Sequence, residues 1–139
     1  MRASGSIDLT GANTLTGTGQ VTNQSIVLLE DDLVDIAFVH QSGTLSFASD
    51  VELANTLRIE GGGVASVGPG ADITGSGTLE NLGAVTVTGA TLDSRVLTNQ
   101  AALSFEGAAS RVTSGTITNA ASGVFTIGAD VEVDIASGE

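Results

Sequence analysis

The chain contains no cysteine, tryptophan, tyrosine or lysine, and only one proline. Without cysteine, disulfide scaffolds, structural zinc ribbons and thiol chemistry are excluded. Without Trp or Tyr, the usual platforms for stacking sugar rings are missing. All four basic residues are arginine (Arg2, Arg58, Arg95, Arg111), against 16 acids, for a formal net charge of -12. So few cations argue against binding to nucleic acid or anionic lipid, because both depend on releasing counterions from a negatively charged partner. No apolar run approaches the length of a membrane span, so membrane insertion is not expected. Met1-Arg2-Ala3-Ser4 leads straight into polar, glycine-bearing sequence rather than the apolar stretch of a signal peptide.

What remains is 139 residues, 41% of them hydrophobic, with 19 glycines. That length suits one domain with a real core, residues 1–139, and the apolar content is too high for a disordered acidic tail. One phrase recurs: an apolar-x pair precedes a short polar residue, and a small linker then leads into apolar-x-apolar. Leu79-Glu80-Asn81 leads to Val85-Thr86-Val87, and Leu97-Thr98-Asn99 to Leu103-Ser104-Phe105. Ile117-Thr118-Asn119 leads to Phe125-Thr126-Ile127, and Val21-Thr22-Asn23 to Val27-Leu28-Leu29. Two looser copies, Phe38-Val39-His40 and Ile59-Glu60-Gly61, fill the gap.

The slot residues are therefore Asn23, His40, Gly61, Asn81, Asn99 and Asn119, separated by 17, 21, 20, 18 and 20 positions. Two residues before them, Val21, Phe38, Ile59, Leu79, Leu97 and Ile117 form an apolar stripe. A third apolar segment lies between slots, at Leu15, Val51, Ile73, Leu92, Val112 and Val133 among others. Each repeat of about 19 residues thus holds three short strands with period-2 alternation, separated by Gly, Asn, Asp and Ser. A unit that small cannot bury its apolar face alone, and stacking coil on coil solves the problem. The sequence predicts an all-β, single-stranded parallel β-helix (β-solenoid) of about six coils. Ser25 to His40 also shows a helical apolar pattern, but Ile36, Phe38 and the repeat phase favour strand there.

The phrases GSGTLENLGAVTV and SGTITNAASGVFTI resemble repeats of right-handed β-helices in large secreted bacterial adhesins and exoproteins. The nearest group is filamentous-haemagglutinin-like. The resemblance covers roughly residues 15–135 and implies adhesion, reach and scaffolding outside the cell or on its surface.

Asn tolerates left-handed backbone and bonds its own turn, so the slot residues read as a stacked structural ladder. With one histidine and no cysteine, a metal site at His40 is not expected. Calcium is conceivable between coils, with Glu30, Asp31, Asp32 and Asp35 the best candidate cation ligands. Asp50, Asp72 and Asp130 read as turn residues before their strands. No triad, P-loop or dinucleotide fingerprint is present, so no catalytic or cofactor-binding residue is expected. Thr-x-Thr pairs fall at different repeat positions and would not stack into one array.

Neither terminus offers an amphipathic or charged plug, so open edges are expected to pair end to end or continue into further repeats. The expected function is a non-catalytic structural or adhesive solenoid, a rigid spacer or filament subunit, with its charge discouraging sideways aggregation. The alternatives are a module presenting loops near Glu30–Asp35 to a glycan or receptor, and a polysaccharide-degrading domain.

Overall fold

The computed structural model describes residues 2–3 and 5–135. Among them there is no helix, and parallel strands stack as a β-solenoid of about six turns. Residues 136–139, the end of the expected single unit, lie outside the described residues.

Three faces repeat up the stack. The first is built from Val27–Leu29, Ala84–Thr88, Ala102–Glu106 and Val124–Ile127, and from the ends of two longer strands, Asp32–Phe47 and Thr56–Val67. The second carries Val51–Leu53, Ile73–Thr74 and Glu132–Ile135, and the third carries Thr78–Asn81. Thr14–Asn23, Thr91–Asn99 and Arg111–Asn119 run through the corner from second face to third without a break. Asp32–Phe47 continues across all three faces, so some coils have fewer and longer strands than the three expected.

The Ser25 to His40 stretch is strand, with Glu30 and Asp31 at the bend. Local periodicity there was compatible with either structure. Pairing of Val27 with both Ile7 and Leu45, and of Val34 with Leu15 and Leu53, makes strand the form that satisfies the backbone on both sides.

The register makes inward side chains into columns. Val21, Phe38, Leu57, Leu79, Leu97 and Ile117 lie one above another. Leu29, Phe47, Val67, Val87, Phe105 and Ile127 form a second column. Most of these side chains are wholly buried, and Phe105 meets Phe125 edge-on at 5.7 Å. At the first coils the core opens into a cavity of ≈ 360 Å³, lined by Ile7, Leu9, Leu15, Val21 and Phe38 beside Ser6 and Asp8.

One expected position shifts. The structure pairs His40 with Ile59 and Ile59 with Asn81, so Ile59 takes the slot in place of Gly61. Leu57 then takes the stripe position expected for Ile59. The physical reason is that slipping by two residues keeps every side chain on its own face, so alternation alone does not fix the choice. Gly61-Gly62-Gly63 absorbs the extra length, with a register shift between His40 and Ser42.

Candidate functional site

The most regular polar feature is the corner between the third and first faces. Asn23, His40, Asn81 and Asn99 are buried there, and Asn119 is exposed on the last rung. Asn81 Nδ2 donates to Asn99 Oδ1 at 2.8 Å and to the Ala102 carbonyl at 2.8 Å, while its Oδ1 accepts from Gly83 N at 3.0 Å. Asn99 Nδ2 donates to Asn119 Oδ1 at 2.7 Å and to the Ala101 carbonyl at 3.0 Å. Asn119 closes its own turn by donating to the Gly123 carbonyl at 2.9 Å. Each amide therefore links to the next coil while satisfying the backbone of its own bend.

Lower in the stack the pattern breaks. Asn23 Nδ2 donates to the Ser25 carbonyl at 3.0 Å and lies 3.2 Å from His40 Nδ1. An amide donor at that distance makes Nδ1 the acceptor, which places the neutral ring's proton on Nε2. His40 Nε2 and Asn23 Oδ1 are buried without hydrogen-bond partners. Burial lowers the His40 pKa from 6.5, opposed in part by the nearby Gly43 backbone. Above His40 stands Ile59, which has no polar group to extend the ladder. Gly63 packs against the ring so closely that a Cβ there would lie 2.8 Å from His40 Cδ2.

The corner between the first and second faces holds carboxylates. Asp32 is buried and accepts from Glu30 N at 2.9 Å and Asn13 N at 3.1 Å. Asp50 accepts from Asp72 N at 3.0 Å, and Asp72 accepts from Thr91 N at 2.8 Å. Asp31 sits at φ +54 and accepts from Ser49 Oγ at 2.6 Å.

The four candidate cation ligands are not brought together. Asp32 turns inward to the backbone, whereas Asp35, three residues on in the same strand, is exposed. Among the described residues no group of three or more His, Cys, Asp or Glu could hold a metal ion. Asp32 faces the core in the column continued by Val51, Ile73 and Leu92, a placement that composition alone did not reveal.

On the third face, Arg58 bridges Glu60 at 2.8 Å and Glu80 at 3.0 Å. The hydrogen bond to Glu60, then that to Glu80, holds the guanidinium charged. Arg111 lies 3.4 Å from Glu132 and 3.7 Å from Asp134. Arg58–Glu60 lies within one strand, the other pairs tie rungs together, and each of these half-exposed contacts contributes little.

Compared with known protein families, curated proteins and solved structures, the chain matches none.

Proposed function

We propose that this chain is a non-catalytic structural or adhesive rod of an extracellular or cell-surface fibre, acting as a rigid spacer or an end-to-end subunit. The carrying observation is the use made of its polar side chains: the corner amides and carboxylates bond to neighbouring coils and their backbones. An enzyme of this fold would need such groups turned outward into a cleft. Here they hold rung to rung. The likeness of its repeats to filamentous-haemagglutinin-like sequences supports the extracellular placement.

Phe125, Ile127, Val131 and Val133 remain at least partly exposed on the last described coils. Their columns offer a surface on which further repeats, or another rod, would stack.

Negative-stain electron microscopy of the purified chain tests this reading, with rods and end-to-end strings expected. Release of reducing ends or unsaturated sugars from a panel of polysaccharides would overturn it.

A further inference from the structure

Among the described residues, the buried side-chain atoms without a hydrogen-bond partner are Asn23 Oδ1 and His40 Nε2, and they belong to one joint. The upper amides leave no such gap. Asn81 Oδ1 accepts from Gly83 N and Asn99 Oδ1 accepts from Asn81, while each Nδ2 also donates to a carbonyl of its own bend or of the next coil. Asn23 is held by one end of its amide alone: Nδ2 serves both the Ser25 carbonyl at 3.0 Å and His40 Nδ1 at 3.2 Å. A carbonyl only accepts, so this arrangement suits a neutral ring with its proton on Nε2.

We propose that the Asn23–His40 joint is a proton-driven switch in which the Asn23 amide turns over and releases the Ser25 carbonyl. A proton taken up from solvent goes to the lone pair on Nδ1 and makes it a donor. The Nδ2 facing it is then the wrong group. The right one, Oδ1, lies on the same amide and is idle. Rotation about the last side-chain bond exchanges oxygen for NH2 with almost no change of shape, so a packed corner admits it. The ring is less free to move, because it is wholly buried and packs against Gly63 so closely that a Cβ there would lie 2.8 Å from its Cδ2.

Turnover is felt at the surface. It sets Oδ1 against the Ser25 carbonyl, and two acceptors repel. The bend at residues 24–26 must give, and it rests on Gly43, which at φ +89 leaves no room for a Cβ beside that carbonyl. The same bend carries Ile26, 57% exposed, and Gln24, whose Nε2 donates to Gln41 on the next coil at 2.6 Å. A buried proton is thereby read on the outside of the rod. The ring is faced by Asn23 on the coil below, by Ile59 and Gly63 on the coil above and by Gly43 on its own strand, none of them titratable. Glu60, beside Ile59, is engaged by Arg58. The Gly43 backbone favours the charged ring and burial opposes it more strongly, which sets the switch below pH 6.5.

Nuclear magnetic resonance of the isotope-labelled chain between about pH 7.5 and about pH 4.5 tests it, with His40 the single histidine to follow. At neutral pH the ring is expected to carry its proton on Nε2. As it charges, the signals of the Asn23 amide, of the backbone at residues 24–26 and of Gly43 should shift with the same midpoint. The side-chain signals of Asn81, Asn99 and Asn119 should hold still. His40→Asn, which keeps an amide in the slot, should abolish the shifts at the bend, and the wild-type titration decides the matter without it. A neutral ring protonated on Nδ1 would overturn the proposal, as would a ring that stays neutral throughout or one that titrates while the bend signals stay fixed. So would the bend and the upper ladder shifting together, which assigns the acid response to unfolding of the whole rod.

Discussion

Asn23 and His40, buried on successive coils, face each other across 3.2 Å and share one hydrogen bond, and each leaves one polar atom without a partner. This joint differs from the upper ladder, where amide meets amide. Protonating His40 would turn Nδ1 from acceptor to donor, opposite a group that can only donate. The Gly43 backbone favours the imidazolium, but burial outweighs it and the neutral ring is preferred.

Stability should therefore depend on pH in a defined direction. The folded His40 pKa lies below its ordinary 6.5. As pH falls through that value, the unfolded chain takes up a proton that the fold rejects, and stability declines until the lowered folded pKa is reached. Above the unfolded value of 6.5 the contribution is fully present. Thermal melts between about pH 7.5 and pH 5 should show this loss, and His40→Asn should flatten it. An unchanged acid slope in that variant would show that other groups set the response.

Breaking the upper ladder should cost more than a surface change. Asn99 bonds Asn81, Asn119 and the Ala101 carbonyl from a wholly buried site. Asn99→Ala is expected to lose about 2–3 kcal/mol in urea unfolding at neutral pH. Gln100→Ala, at the exposed next position, should stay within about 0.5 kcal/mol.

Phe105 is fully buried and packs edge-on against Phe125. Truncation to Ala leaves a cavity that a stack of paired rungs collapses poorly around. The loss should be about 3–5 kcal/mol, measured in the same denaturant experiment.

Asp32 and Asp35 should behave differently despite their proximity in sequence. Asp32→Ala removes the acceptor of two backbone N–H groups at a buried corner, for an expected cost of about 1–3 kcal/mol. Asp35→Ala, exposed, should be near neutral. Because Asp32 is committed to the backbone, millimolar calcium should shift neither variant's melting temperature relative to chelator; differential scanning fluorimetry checks this.

The solenoid was legible because its corners are written in residues that tolerate few alternatives. Asn81, Asn99 and Asn119 recur with an apolar residue two positions before each, and they fall in one column. The misplaced Gly61 shows the limit. Ile59-Glu60-Gly61 imitates the recurring phrase, and a two-residue slip costs nothing in face assignment. A better signal lay alongside it: Thr56-Leu57-Arg58 matches Thr78-Leu79-Glu80, with opposite charges at the third position. The inward turn of Asp32 was less accessible. It depends on which backbone N–H groups the neighbouring coil leaves unpaired, and no pattern within one repeat records that.

The parallel register also has a mechanical consequence. Each coil winds about 19 residues, roughly 65 Å of extended chain, into about 4.8 Å of height. A rod built this way holds more than ten times its own length in reserve. Under tension along its axis it would peel one coil at a time, each release paying out slack before the next rung bears load. At His40 and Ile59 no side-chain amide links the coils, so there the backbone ladder and the apolar column alone would carry the load.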